Sequence, residues 1–426
     1  MLKKVLTVSV LAAMVLSLVS GCAGNNDASS TPASADGDTP TSEPVSITFW
    51  DGSWSEDRYA PVAEAFAAEY PNITVNAEFQ VDDGMSDKYL LALKSGTAPD
   101  VLACAVDWVT SFGNAGLLAP IDDYVAADSV DIADYVDGAV RAATIDGNLY
   151  GLPFRSETYG LFYNKDLLAA AGYTAPPETW AELLEIAKAT TKDDVAGFGL
   201  VGKNYGNLSF QYITMLRSSG GEILNADNTK CLLDSDVAIE TANYYVDMYL
   251  NDKVAPASTL ENDNTSNRNL FAAGKIAMYL SGVYDVDPIK EANPELNFAS
   301  AMVPHTEDAS TKTILGGWSV AIAESSDKKD AAWDFVKFLT TPEMASIYSN
   351  TFPGRKSAAT MDKYQSEEIL PHLKALDNAV ALPAIPQMVQ IRQTIFDSLS
   401  SALAGSMTAE EAMVEATAKI NTLLEG

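Results

Sequence analysis

Acidic and aromatic side chains recur together where the chain turns. Asp51 and Trp54 frame the stretch Asp51-Gly52-Ser53-Trp54, and Asp107 stands beside Trp108. Tyr205 follows an asparagine, Tyr284 precedes Asp285, and Trp318 follows Gly316-Gly317. A sugar offers apolar C–H faces that stack on aromatic rings, and hydroxyls that need fixed polar partners. Aromatics mixed with carboxylates, asparagines and arginines therefore suit a carbohydrate cleft. The two glycines let backbone pass close to another object, which would present Trp318 as a flat apolar face. The competing reading makes Trp318 a core residue and the glycines a simple turn. Trp180 and Trp333 lie in helical patterns and read as core, while Trp50, at a strand end, fits either role.

Other chemistries fit poorly. Gly197 to Gly202 matches GxGxxG, but it follows a helix and a polar turn and opens no helix, so a nucleotide site is not expected. Gly317-Trp318-Ser319-Val320-Ala321 lacks the last glycine of a nucleophile elbow and enters a strand. The two histidines, His305 and His372, are far apart, and His372 reads as a surface or helix-start residue. No zinc-ligand spacing and no ATP-binding GxxxxGK[ST] motif occurs, so no metal or cofactor is expected. Asp51, Asp107 and Glu157 would permit a cell-surface glycoside hydrolase, which needs two carboxylates. A lipoprotein adhesin without a closed cleft is a third class.

The elements that would position these residues are legible. Val45–Trp50, Ile73–Phe79 and Asp100–Val106 read as strands, with helices at Glu56–Tyr70 and Ser86–Ser95 between them. This βαβαβ order predicts an α/β fold with a largely parallel sheet. In such sheets ligands bind beyond the carboxyl ends of strands, where Asp51–Trp54 and Asp107-Trp108 stand. Further on, Val320–Ala323 reads as a buried strand, and Ser325-Ser326-Asp327 as a helix start. A helix with Ala332, Phe335, Val336 and Leu339 on its buried face follows, and Pro342 begins another.

Residues 1–21 combine Lys3 and Lys4 with the apolar run Val5–Val19 and end in Ser20-Gly21 before Cys22. This is the pattern of a secretory signal with a lipoprotein cleavage box. Cys22 is then the lipidated N-terminus, anchoring the chain on the outer face of the membrane without crossing it. Residues 22–44 contain no Val, Ile, Leu, Met or aromatic side chain and read as a flexible tether. As a coil its ends lie on the order of 25 Å apart. The formal charge of −31 becomes −33 once the two signal lysines are removed. That charge argues against binding nucleic acid or anionic lipid. Cys104 reads as core, and a Cys104–Cys231 disulfide is possible in an exported chain.

Longer stretches carry a resemblance. FAAEYPNITVN, KSGTAPDVLACAVDWVTSFGNAGLLAPIDDYV, GNLYGLPFRSETYGLFYNKDLLAAAG, PPETWAELLEIAKA, LFAAGKIAMYLSGVYDV, LGGWSVAIAES, AAWDFVKFLTTPE and FPGRKS occur in that order. Together with the lipobox, they are similar to the solute-binding lipoproteins that deliver sugars to ABC importers, the maltodextrin-binding type. The resemblance implies the two-lobe periplasmic-binding-protein-like fold (type II), with a ligand cleft between lobes and three hinge crossings. It implies lobe one at 45–153 and 305–350, and lobe two at 154–304 and 351–426. The crossings would lie at Leu152–Asn164, Ala301–His305 and Thr351–Arg355, and the helix Glu411–Leu424 would pack on lobe two. Arg155 and Glu157 fall where family members place cleft residues, or form a hinge-side ion pair; Arg355 is a similar case. Tyr284 stands where many members carry a tryptophan. The implied protein is a monomer that captures a sugar, an oligosaccharide by family habit. It closes around that sugar, does no chemistry, and hands it to permease subunits powered by a separate ATPase.

Overall fold

The computed structural model describes residues 43–81 and 84–425. The signal at 1–21, Cys22 and all but the last two residues of the tether lie outside the described residues. Strand β1 (Val45–Gly52) buries Ile47 and Phe49 and pairs in parallel with β2 (Ile73–Gln80) and β3 (Val101–Ala105). Helix Glu56–Glu69 joins the first two, with Val62 and Phe66 inward. Helix Met85–Ser95 joins the next two and ends on Gly96 in the left-handed region, the usual chain-reversing cap. A small hairpin, β4 (Thr144–Ile145) and β5 (Asn148–Leu149), precedes the long strand β6 (Leu152–Asn164). Strands β7 (Ala196–Gly199), β8 (Ile276–Gly282), β9 (Phe298–Ala301), β10 (Thr313–Ile322), β11 (Phe352–Pro353) and β12 (Ala379–Ala381) follow.

The main sheet runs β2-β1-β3-β10-β6-β8-β7. Strand β6 belongs to both ends of it. Its first half, Leu152–Thr158, lies antiparallel to β10, and its second half, Tyr159–Asn164, lies antiparallel to β8 and β9. The core is divided accordingly. One cluster holds Phe49, Phe66, Trp108, Ile322, Trp333 and Phe335. A second holds Phe198, Tyr212, Leu216, Tyr245, Ile395 and Met413, and a third holds Phe162, Phe271, Tyr279 and Phe298. Helices Met388–Leu403 and Ala409–Glu425 close the second cluster with Ile395, Leu399, Met413 and Ile420.

Several expectations need correcting. The return passage is carried by β10 rather than by Ala301–His305. Val303 and Ile314 still belong to the second cluster, and Val320 is the first residue of β10 in the other. The reason is the ladder from Leu315–Thr158 to Val320–Leu152, which makes β10 run beside β6 through the crossing. The strand expected at Val320–Ala323 therefore starts seven residues earlier, at Thr313. The glycine-rich stretch from Gly197 forms the end of β7, where Gly197 packs on the backbone of helix Trp180–Thr190. His372 is fully buried instead of exposed, because helix Leu370–Ala375 docks it against β6, with Nδ1 3.2 Å from Thr158 O. Burial holds its imidazole near a pKa of about 4 and hence neutral. Cys104 and Cys231 are both buried and free, in separate clusters, so they form no disulfide. Helix Lys329–Leu339 is capped at Lys328. Ser326 Oγ accepts its N–H at 3.1 Å and donates to Asp100 at 2.7 Å, tying the helix start to the edge of β3.

Candidate ligand-binding site

One cavity of about 710 Å³ lies where the first and second core clusters face each other across β6 and β10. Its floor follows from strand periodicity. Side chains alternate along β6, so Arg155, Glu157 and Tyr159 share one face, and all three line the cavity. Across the ladder, Trp318 on β10 pairs with Arg155. Gly317 has φ +136°, and a Cβ there would sit 2.4 Å from Arg155 O. The glycines thus pass close to the neighbouring strand of their own sheet. The register with β6 shifts just after Trp318, and the indole lines the cavity.

The walls are first turns of helices. In each half a strand ends in glycine, then one residue, then an aromatic: Gly52-Ser53-Trp54 after β1 and Gly282-Val283-Tyr284 after β8. The ring folds back over the glycine. A Cβ would lie 2.2 Å from the Trp54 ring at Gly52 and 2.3 Å from the Tyr284 ring at Gly282. Trp108 sits in the first turn of helix Val106–Asn114, and Tyr205 opens helix Tyr205–Ser218. Trp54, Trp108 and Trp318 form a box. Trp318 has ring centres 5.2 Å from both others, and the Arg155 guanidinium lies 5.0 Å above it. These spacings suit edge-on and tilted aromatic contacts and a cation over a ring face.

The structure brings seven of the ten expected residues to this cavity: Trp54, Trp108, Arg155, Glu157, Tyr205, Tyr284 and Trp318. Three lie elsewhere. Asp51 is fully buried behind the floor. Its Oδ1 accepts from Arg155 Nη2 at 3.1 Å and Gly52 N at 2.7 Å, and its Oδ2 accepts from Tyr348 OH at 2.6 Å. Asp107 is turned from the cavity and paired with Arg392 at 2.7 Å. Arg355 lies on the Tyr135 ring, donates to Thr340 O at 2.7 Å and pairs with Asp134 at 3.5 Å, so its charge is used in the first half.

Sequence reasoning left out much of the polar wall. Asn264 Nδ2 donates to Tyr159 OH and Tyr284 OH, each at 2.8 Å, and its buried Oδ1 has no partner among the described residues. Asp285 accepts from Ser281 Oγ at 2.6 Å, Tyr279 OH at 3.0 Å and Arg268 at 3.4 Å. Burial nevertheless pushes its carboxyl up to about 6. The Glu157 carboxylate makes no hydrogen bond or ion pair with a described residue. Burial raises it to about 7, against the pull of Arg155 and with a push from Asp285. Tyr159 could have been found from the alternation in Arg155-Ser156-Glu157-Thr158-Tyr159, and Asp285 from its place beside Tyr284. Asn264, Arg268 and Arg392 had no local signal, since each arrives from a distant helix. The unpaired acceptors and the aromatic box together can hold a ligand with apolar faces and several hydroxyl donors. Among the described residues no cluster of acidic, histidine or cysteine side chains could hold a metal ion.

Comparison with known proteins agrees in type. The family model for bacterial extracellular solute-binding proteins matches residues 52–346. A putative binding protein of Brucella abortus is 29% identical over 86% of this chain and 90% of its own. A maltooligosaccharide ABC transporter solute-binding lipoprotein of Streptococcus pneumoniae is 25% identical over 91% of each chain. Among solved structures, an ABC transporter solute-binding protein of Thermotoga lettingae bound with α-D-tagatose superposes with a TM-score of 0.83 at 27% identity, covering 90% of this chain and 100% of that one. The fold is thus that of two-lobe solute-binding proteins.

Proposed function

The chain belongs to the family of bacterial extracellular solute-binding proteins, and from that premise we propose that it captures a sugar in the cavity and delivers it to an ABC importer by closing around it. It is a binding protein and not an enzyme. The observation that carries the sugar reading is the box of Trp54, Trp108 and Trp318 facing unpaired polar acceptors of the other half. An oligosaccharide is favoured over a single ring because the stacking surface is built from three indoles; the pneumococcal relative is a maltooligosaccharide binder by its name. Residues 45–153 and the stretch from the end of β10 to 350 would move as one lobe, and residues 154–304, the approach to β10 and 351–426 as the other. A ligand touching both has more contacts in the closed form, and this differential affinity shifts the population. Titration calorimetry against glucose, maltose and maltotriose, with small-angle scattering at saturation, tests both steps. Binding with an unchanged radius of gyration would leave a static binding surface in place of a closing one.

Glu157 supplies a pH dependence. Hydroxyls that donate to it favour its ionised form, so sugar affinity rises between pH 6 and 8 and binding near pH 7 releases a fraction of a proton. Glu157→Gln flattens the profile, and a profile identical to wild type removes Glu157 from the site. In the unliganded protein the sign is opposite. A carboxyl raised to about 7 binds its proton more tightly when folded, so this contribution to stability is present at low pH and is lost as pH rises through 7.

The anchor is proposed on sequence grounds, from the apolar run ending in Ser20-Gly21-Cys22. Among the described residues no helix is long and apolar enough to cross a membrane. Cys22→Ser should release the protein from membranes or leave the signal attached. A cleaved mutant that still fractionates with membranes would place the anchor elsewhere.

A further inference from the structure

The charges around the cavity do not cancel. Three arginines of its lining are matched one to one: Arg155 with Asp51 at 3.1 Å, Arg392 with Asp107 at 2.7 Å and Arg268 with Asp285 at 3.4 Å. A fourth, Arg58, donates to Trp54 O at 3.1 Å, and the exposed carboxylates Asp57 and Glu291 share the lining with it. Glu157 is left over. It stands between Arg155 and Tyr159 on the floor, and no cation among the described residues pairs with its carboxylate. Its place is built. The carboxylate lies over Gly316, its partner on β10. A Cβ there would fall 2.9 Å from Glu157 Oε1 and 3.1 Å from the Phe210 ring, so the glycine makes the room that both occupy. Tyr159 comes next along the floor, its ring centre 6.0 Å from that of Phe210. The Tyr159 hydroxyl accepts from Asn264 Nδ2 at 2.8 Å, and Asn264 Oδ1, on a residue only 5% exposed, has no donor among the described residues. Asp285 adds its own negative charge to this side of the cavity, so the uncompensated potential around Glu157 is acidic.

We propose that Glu157 is the anion of a cation subsite in the cavity, and that the ligand is an amino sugar whose protonated amine sits on the Glu157 carboxylate. The inference rests on the sugar reading of the cavity and narrows its substrate class. An ammonium brings several N–H donors and a positive charge, whereas a hydroxyl brings one donor and no charge. It can donate to Glu157 and still offer donors toward Asn264 Oδ1. The hydroxyls of a neutral sugar also bond the carboxylate, but they leave its charge without a counter-charge beside the Phe210 and Tyr159 rings, where a lone charge is costly. Bonds between two ionised groups are the stronger kind, and a site lined by rings screens them less than open water does. An anionic ligand would meet Glu157 as a like charge, and three of the arginines that could answer it are already paired.

The test is titration calorimetry at pH 7 with disaccharides of one linkage that differ in a single substituent. The glucosamine disaccharide carries amines, cellobiose carries hydroxyls in their place, and N,N′-diacetylchitobiose carries neutral acetamides. The glucosamine disaccharide is expected to bind wild type on the order of tenfold tighter than either of the others, the gain of a charge-assisted pair over a neutral donor. Glu157→Gln keeps the shape and removes the charge, so it should abolish that preference; a single cooperative thermal transition confirms that the variant is folded. The inference is overturned if cellobiose or diacetylchitobiose binds wild type as tightly as the glucosamine disaccharide, or if the preference survives in Glu157→Gln. It is overturned equally if the cavity binds glucose, maltose or maltotriose but not the glucosamine disaccharide. In each of those cases the sugar reading stands. If no sugar of either panel binds, the sugar reading falls and this inference falls with it.

Discussion

Replacing Arg155 with methionine is expected to lower the unfolding free energy by about 3–5 kcal/mol, the usual consequence of breaking a buried ion pair by removing one partner. Arg155 is 1% exposed and Asp51 is fully buried. The guanidinium reaches Asp51 Oδ1 and Ser55 Oγ, each at 3.1 Å, and stacks beside Trp318 and Trp54. Without it, the Asp51 carboxylate retains only Gly52 N and Tyr348 OH, too little to hold a charge in a dry site. The measurement is a urea midpoint by circular dichroism. An exposed pair is the control: Lys188 lies 2.7 Å from Asp252 but is half exposed, so Lys188→Met should shift stability by about 0–1 kcal/mol. The double change Asp51→Asn with Arg155→Met should recover part of the loss, since it removes the orphaned charge. A loss below about 1 kcal/mol for Arg155→Met alone would mean water reaches Asp51 and the pair is not dry.

That same pair marks where the sequence could be read and where it could not. Strand periods placed β1, β2 and β3, and hence the loop after β1, because Ile47 and Phe49, or Ile73 and Val75, repeat every second residue. Trp54 and Tyr284 were legible because they stand at chain turns outside any helical stripe, whereas the folding of each ring back over the glycine two positions earlier was not. The fate of Asp51 was not legible, since nothing near it announces a guanidinium 104 residues later in the chain. Asp107 was misassigned for the same reason: its partner comes from a helix near the other end of the chain. That arginine left only a faint trace, a charge beside the apolar stripe of Met388, Ile391, Ile395 and Leu399. His372 looked polar and peripheral because the short helix that carries it gives no periodic signal, and only β6 determines that it is buried. Contacts between neighbours in sequence leave patterns in composition, whereas contacts across a lobe boundary do not.

Trp318→Ala tests the role of the central indole. It should weaken sugar binding by about 1–3 kcal/mol, the loss typical of an aromatic anchor at a binding hot spot, or roughly 5- to 150-fold in affinity. The ring is only partly buried, lines the cavity, and is held between Trp54 and Trp108 by contacts at 5.2 Å. A side chain in that setting contributes more to the ligand than to the fold. Its backbone is fixed independently by the β10 ladder to β3 and β6, so truncation leaves the strand in place. Trp333→Ala provides the contrast. Trp333 is 3% exposed within the first core cluster, donates to Asp128 at 2.8 Å, and lies away from the cavity. Its loss should cost about 3–5 kcal/mol of stability while leaving intrinsic affinity unchanged below the melting range. Calorimetric titration with the best sugar of the panel, paired with thermal melts of both variants, separates the two outcomes. If Trp318→Ala lowers the unliganded melting point as far as Trp333→Ala does and leaves affinity intact, the indole is a core residue at the cavity edge and the stacking account fails.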